Sequence, residues 1–531
     1  MDIHIFKSKT FLSYFKILLL LTIIVQFSCF EPDKEEKKLN VLFISIDDLR
    51  PDLGVYGNKY IKTPNIDQLA SQGMTFRRTY CQAAVCAPSR ASLMTGVRPN
   101  TNQVWHLGDK FREINPDIIT MPQHFKKFGY HTVNIGKIFH NYMPDSISWD
   151  EPDLRPSRYL RPDWLKRDGE TFYVNKETQR KQKIKRDSLI KLRPNYYADG
   201  WNNGPAWEME DVHDTMYYDG AQTKLALKTL SRISKREEPF YMALGFFRPH
   251  LPFAVPKKYW DLYDLNSIPM ANNPFIPINS PVMSMNSMYE LRGYNGFSHL
   301  QHPTINVIGE DTARILKHGY YASVSYVDAQ IGKLIQHLKD LDIYDQTIII
   351  IWGDHGWKLG EHNSWCKQSN YNIDIHVPMI VYSPNQKNRG KQTFAITELV
   401  DIFPSLCEMS GIEVPDYMEG TSFVSLLENP DKEWKAAAFS QFHRRPKVTP
   451  DKKRYMGYSI QTKRYHYIEW FYWNNETKEK GEYVTNELYD HETDLDENKN
   501  IAGFEGNKEL IKKLSGQLNS GWKNARPNSM E

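Results

Sequence analysis

The stretch Val41-Leu42-Phe43-Ile44-Ser45-Ile46-Asp47-Asp48 carries the reading of the fold. Its first six residues form an apolar, β-branched-rich run, the pattern of a parallel strand buried on both faces. Two adjacent carboxylates close it, and open α/β sheets place their chemistry at the carboxyl ends of strands. Working outward, Thr63-Pro64-Asn65 opens a helical stretch with Ile66, Leu69 and Ala70 on one face. Further strands are expected at residues 132–135, 241–247, 348–352 and 379–382, and Val324, Val327, Ile331, Leu334, Leu338 and Leu341 keep helical spacing among them. Alternating strands and helices predict an α/β fold, a mostly parallel sheet sandwiched by helices. Asp354-His355 ends another of these strands. Past residue 430 the texture changes. Residues 436–442, 456–462 and 465–473 read as strands, followed by a helix that aligns Leu510, Leu514 and Leu518. The expected organisation is a catalytic domain over 40–430 and a smaller C-terminal antiparallel α+β domain over 431–525.

With 531 residues the chain is no small stapled scaffold. An apolar content of 40%, with 29 Gly and 30 Pro, argues against disorder, collagen and coiled coil. Lys and Arg number 67 against 64 Asp and Glu, a net +3 that argues against bulk nucleic-acid binding, so anion specificity has to come from placement. Between Arg155 and Arg193 lies a charge-rich stretch with Lys176, Arg180, Lys181, Lys183, Lys185, Arg186 and Lys191. It reads as a solvated insertion or as a lobe that contacts a polyanion. Five cysteines, Cys29, Cys81, Cys86, Cys366 and Cys407, are an odd and sparse set without a disulfide framework.

At the amino terminus Lys7, Lys9 and Lys16 flank an apolar run at residues 17–25, shorter than the ~20 residues that span a bilayer. This is the layout of an export signal, here residues 1–29. Cys29 follows the small Ser28 and precedes a polar segment, and it resembles the lipid-acceptor cysteine of bacterial lipoproteins. The alternative is a cysteine that leaves with the cleaved peptide. The expected location is the periplasm or cell surface of a bacterium, with membrane anchoring through a lipidated Cys29.

Asp47-Asp48 together with Asp354 suit one hard divalent cation, which takes several oxygen ligands. Alone, the pair would be strand-end capping. It gains weight beside Cys86-Ala87-Pro88-Ser89-Arg90-Ala91-Ser92-Leu93-Met94-Thr95-Gly96. That segment resembles the signature of the formylglycine-dependent (type I) sulfatases, Cys-x-Pro-Ser-Arg followed by Thr-Gly, whose cysteine is oxidised after translation to formylglycine (3-oxoalanine). A single buried cysteine would otherwise read as a small inert hydrophobe. Val97 stands where many of the family have Arg, and Arg98 follows it. The resemblance runs from Asn40 to about Gly503 and is closest to the iduronate-2-sulfatase branch. It includes Asp47-Asp48-Leu49-Arg50-Pro51, Gly136-Lys137-Ile138-Phe139-His140, Arg248-Pro249-His250-Leu251-Pro252-Phe253, Asp354-His355-Gly356-Trp357, and Gly360-Glu361-His362 with Trp365 and Lys367.

The resemblance implies an alkaline-phosphatase-like fold and one Ca2+ held by Asp47, Asp48, Asp354, His355 and the modified Cys86. His355 stands where many relatives have Asn. It further implies that Arg90 holds the formylglycine and that Lys137, His140, His250 and Lys367 bind the sulfate group. Taken one at a time, these would be structural histidines and solvated lysines. In the implied mechanism a hydroxyl of the hydrated formylglycine attacks sulfur, with Asp47 or Asp354 assisting its deprotonation. Lys137, Lys367 and Arg90 supply fixed positive charge, His250 protonates the leaving oxygen and His140 serves the second step. The implied partners are a sulfated, uronate-containing polysaccharide or oligosaccharide, from ulvan, carrageenan, heparan or dermatan sulfate, and the maturation enzyme that makes formylglycine. Sugar selectivity is expected outside the sulfate pocket, where Trp105, His106, Lys110, the basic insertion and residues 441–445 have no secure counterpart in the animal members of that branch. Two other readings stay open: a phosphate or phosphonate monoesterase of the same superfamily, and a surface lipoprotein that binds glycan without turning it over.

Overall fold

The computed structural model describes residues 38–140, 143–156, 172–192, 204–446 and 449–527. The segment read as an export signal, Cys29 included, lies outside the described residues. Asn40–Glu531 group as one compact unit. Among the described residues no helix is long and apolar enough to cross a membrane, and Cys81, Cys86, Cys366 and Cys407 are all buried free thiols.

A seven-stranded sheet organises the unit. Its strands are β1 (Asn40–Ile46), β2 (Met74–Tyr80), β3 (His131–Gly136), β4 (Phe240–Phe246), β5 (Thr347–Gly353), β6 (His376–Tyr382) and β7 (Lys391–Glu398), in the order β7-β2-β6-β5-β1-β4-β3. Every pairing is parallel except the two made by β6. β1 and β5 are central, and the apolar run of each is buried because helices cover both faces. The covering layers include α1 (Pro64–Gln72), α2 (Cys86–Thr95), α4 (Tyr218–Ile233), the 31-residue α5 (Glu310–Asp340) and α6 (Ile402–Met409). The buried positions of α5, from Leu316 through Tyr320, Val324, Val327, Ile331 and Leu334 to Leu338, recur at helical spacing. Between α2 and α4 the basic insertion forms α3 (Lys176–Leu192), on which Lys176, Arg180, Lys181 and Lys183 are exposed.

The carboxyl-terminal region is an antiparallel sheet of β8 (Ala438–Arg444), β9 (Tyr455–Gln461), β10 (Tyr465–Asn474) and β11 (Glu479–Asp490), backed by α7 (Lys508–Ser520). Leu514 of α7 is buried against Ile460, Tyr467 and Leu488, with Leu510 and Leu518 beside it. The α/β sheet with a smaller antiparallel α+β region is the architecture expected from the sequence. Of these strands β2, β7 and β11 escaped that reading; charged residues interrupt β2 and β11, and β7 carries one at each end.

Candidate active site

Sheet register builds the first part of the site. β1 and β5 pair with Ile46 opposite Gly353, so Asp47 and Asp354 emerge from neighbouring strand ends. Asp48 follows with φ of +62°. Its backbone N–H donates to Asp354 Oδ1 at 3.0 Å. α2 supplies the second part. Cys86 is its first residue and every position of the helix is buried, so the positive end of the helix faces the acids. Cys86 Sγ lies 3.2 Å from His355 Nε2, 3.5 Å from Asp47 Oδ1 and 3.7 Å from Lys137 Nζ. One turn on, Arg90 donates through Nε to Asp354 Oδ2 at 2.8 Å and through Nη1 to Ser45 Oγ at 2.8 Å. Ser89 Oγ donates to the Asp354 carbonyl at 2.5 Å.

Lys137 comes from the turn after β3 and is paired with Asp47. Lys367 donates to Asp48 Oδ1 at 2.7 Å and to Glu290 Oε1 at 3.1 Å. His250 lies between two cis prolyl bonds, Arg248–Pro249 and Leu251–Pro252. Its Nδ1 is 2.6 Å from the Leu251 carbonyl, and its Nε2 is 3.0 Å from Glu290 and 3.9 Å from Asp48. Both nitrogens thus lie near oxygen atoms. His140 sits on the same turn as Lys137, and among the described residues its Nδ1 has no hydrogen-bond partner.

Electrostatics follow from burial and this charge pattern. Burial opposes ionisation of Asp47, yet Lys137, His250, Arg90 and Lys367 hold its carboxyl well below the usual range. Burial pushes Asp48 up to about 6 against Lys367 and His250. Lys137 and Lys367 are raised in spite of burial, chiefly by Asp47 and by Asp48 respectively. Burial and then Asp47 push the Cys86 thiol well up, so as a thiol it is a poor nucleophile. Burial and the neighbouring Lys137 push His140 well down.

Asp47, Cys86, Asp354 and His355 offer ligand atoms within 4.8 Å of one another, as do Asp47, Asp48 and His250. The donor set fits a hard cation. Three carboxylates converge, and among the described residues the buried Asp48 Oδ2 has no hydrogen-bond partner. His355 places its Nδ1 3.0 Å from the Gly356 carbonyl. With Nδ1 as the donor, the Nε2 lone pair points into the cluster, the usual support for a ligating histidine. All the residues singled out in the sequence for metal, nucleophile and sulfate are thus brought to the carboxyl end of one sheet. Glu290 was not among them.

The sulfatase family model matches residues 39–412. The chain belongs to the sulfatase family. A second model, the C-terminal region of N-sulphoglucosamine sulphohydrolase, matches residues 360–524 of this sulfatase. It is 33% identical to human iduronate 2-sulfatase over 498 residues, covering 82% of this chain and 86% of that protein. It is also 30% identical to a sulfatase of Formosa agariphila over 507 residues, covering 92% and 88%. Among solved structures it resembles, at 22% identity and a TM-score of 0.66, a protein bound to its substrate D-glucosamine-2-N, 6-O-disulfate, over 93% of this chain and 100% of that one. The alkaline-phosphatase-like sulfatase fold and the hydrolysis of sulfate esters are therefore established for this chain. The departure at Val97-Arg98 also finds its place. Arg98 points away from the site and forms a two-pronged pair with Glu398 at 2.7 Å for each prong.

Proposed function

We propose that this sulfatase removes O-sulfate from a sulfated, uronate-containing polysaccharide or a derived oligosaccharide, with Cys86 converted to formylglycine and one Ca2+ held by Asp47, Asp48, Asp354, His355 and the modified residue 86. The observation that carries the reading is the position of Cys86. It heads a buried helix against three carboxylates and beside Lys137, where an unmodified thiol has little to offer. As a hydrated aldehyde, the side chain supplies one hydroxyl to attack sulfur and another whose deprotonation expels sulfate and restores the aldehyde. Held by these residues, a cation would supply positive charge that lowers the pKa of a hydroxyl on residue 86.

The rest falls to the chain's own side chains. Arg90, anchored to Asp354 and Ser45, fixes the residue that emerges one turn earlier. Lys137 and Lys367 place positive charge where the sulfuryl oxygens sit, and their carboxylate partners hold them there before substrate arrives. His250 donates a proton to the departing sugar oxygen, with Glu290 orienting Nε2. His140, neutral through burial and Lys137, accepts a proton in the second step. We further propose export to the periplasm or cell surface with Cys29 as a lipid anchor, which suits a scavenging enzyme acting on ulvan, carrageenan, heparan or dermatan sulfate.

Four measurements test the reading. Mass analysis of the Cys86 peptide from natively expressed protein is expected to show the thiol replaced by an aldehyde, and Cys86→Ala is expected to release no sulfate while keeping its thermal melt. Turnover of Cys86→Ala near that of wild type would overturn the assignment. Chelation is expected to abolish turnover and lower the melting temperature, with both restored by Ca2+. Parallel assays on sulfate and phosphate aryl esters separate this activity from the monoesterase alternative.

A further inference from the structure

A further cluster of metal-binding side chains lies in the C-terminal region, outside the catalytic cluster. His466 is the second residue of β10, and strand pairing sets it between Gln461 of β9 and Tyr489 of β11. His491 follows the last residue of β11, and its backbone N–H donates to the Arg464 carbonyl at 2.8 Å. Glu497 reaches both from the turn beyond. Asp494 holds that turn by accepting from the N–H groups of Asn498 and Lys499 at 3.0 and 2.9 Å. Glu497 Oε1 lies 2.5 Å from His466 Nδ1 and 2.8 Å from His491 Nε2. Ligand atoms of the three residues all lie within 4.8 Å of one another. His466 and Glu497 are buried, and the His491 side chain is only 8% exposed.

Charge and coordination chemistry decide what this cluster takes. A buried carboxylate is costly unless it is paired, and among the described residues no lysine or arginine forms an ion pair with Glu497. Neutral imidazoles bring it hydrogen bonds but no charge, whereas a divalent ion supplies the charge and engages all three donors. Two imidazoles and one carboxylate suit zinc, while calcium takes an oxygen shell. Ligands at about 2.0–2.1 Å in a tetrahedron stand ~3.3 Å apart, so the two Glu497 contacts widen by less than ~1 Å to admit the ion. His491 and Glu497 also line a groove of about 500 Å³. It gives the ion a way in and water a place as fourth ligand. Support for the ligands is in place as well. His491 Nδ1 lies 3.3 Å from the Gln461 side-chain amide, and Glu497 Oε2 accepts from the Asn372 N–H at 2.7 Å.

We propose that His466, His491 and Glu497 bind one structural Zn2+, with water from the groove completing the tetrahedron. The ion ties β10 to the turn after β11 and, through Asn372, to the segment that follows Lys367. This site stands apart from the saccharide reading above and does not depend on it. The test saturates the full-length protein with Ca2+ and then titrates Zn2+ alone by calorimetry. Wild type is expected to take up one zinc per chain. The Kd is expected to rise roughly 100-fold or more in His491→Ala and in Glu497→Gln, since loss of a residue that merely supports a ligand already costs roughly 10–100-fold. Zinc is also expected to raise the melting temperature of wild type and of neither variant. X-ray absorption at the zinc edge of the loaded wild type is expected to show two imidazoles, a result that needs no variant to fold. Each cluster at the catalytic end offers a single imidazole, so the count separates the sites. Failure of the Ca2+-loaded wild type to take up zinc overturns the proposal. So does a bound zinc with fewer than two imidazoles, or an affinity unchanged in both variants.

Discussion

Glu290 stands between two side chains of the site, 3.0 Å from His250 Nε2 and 3.1 Å from Lys367 Nζ. Burial works against its charge, yet Lys367 and His250 hold its carboxyl down at about 2, so it is ionised at neutral pH. Glu290→Gln leaves His250 facing a neutral amide and deprives Lys367 of one counter-charge. Losing an orienting partner of a general acid is expected to lower kcat roughly 10- to 100-fold. Steady-state kinetics on an aryl sulfate check this, and an undiminished kcat would show that His250 needs no such partner. Nothing in the sequence marks this residue. It lies in an irregular segment of short 3-10 turns with no periodicity or recognisable spacing. Cys86, Pro88, Ser89 and Arg90 were legible because one helical turn carries both the sulfur and the guanidinium that anchors it, so their spacing survives as a motif.

At the scale of elements, the site is the meeting of two strand ends with one helix start. α2 stops at Gly96, whose φ of +71° is left-handed. A Cβ there would lie 2.1 Å from Met418 Sδ. Gly96→Ala thus meets two obstacles, a backbone preference of roughly 1–2 kcal/mol and a displaced methionine. The variant is expected to melt several degrees below wild type, read by differential scanning calorimetry. An unshifted melt would mean that the Thr95-Gly96 part of the motif serves something other than helix termination. Gly245 has a comparable part on β4, where a Cβ would meet the Lys137 carbonyl at 2.0 Å. The turn that aims Lys137 at Asp47 needs that close backbone approach. Of the strands hidden from the sequence, β2 shows why. β2 carries Arg77 and Arg78, and Arg77 stacks on Tyr56 at 4.8 Å while donating to the Val55 carbonyl at 2.9 Å. Its charge is absorbed by a neighbouring layer, which no hydrophobic periodicity reveals.

Over the whole molecule, buried ion pairs tie distant segments together. Glu398 at the end of β7 accepts from Arg98 beyond α2, from Lys435 ahead of β8 at 2.9 Å, and from the Phe439 N–H at 2.9 Å. Arg98→Ala strips the carboxylate of its two-pronged partner, and breaking a buried pair in this way costs about 3–5 kcal/mol. Equilibrium denaturation is expected to show that loss, and a change under ~1 kcal/mol would mean Lys435 alone suffices. Acid acts through a similar pair. Glu361 meets Arg50 at 2.8 Å. Burial opposes its charge, but Arg50 and Lys317 hold it down at about 2 against an ordinary 4.5. A carboxyl lowered in the folded state contributes stability that is complete above the unfolded value and lost as pH falls through the folded one. Between pH 4.5 and 2, Glu361→Gln is expected to have a shallower loss of stability than wild type. Parallel curves in that window would rule the pair out as an acid trigger.

The central strands, the long covering helix around residues 324–338 and most of the C-terminal strands were legible in the sequence itself, since each rests on local periodicity, and the 86–90 segment was legible through its spacing within one turn. The three-dimensional fold alone decided what needs long-range proximity. It brought Glu290 to His250 and Lys367, turned Arg98 toward Glu398, and set His106 against His443. Those contacts pair residues tens to hundreds of positions apart, and their energy comes from burial and charge that exist only once the sheets have assembled.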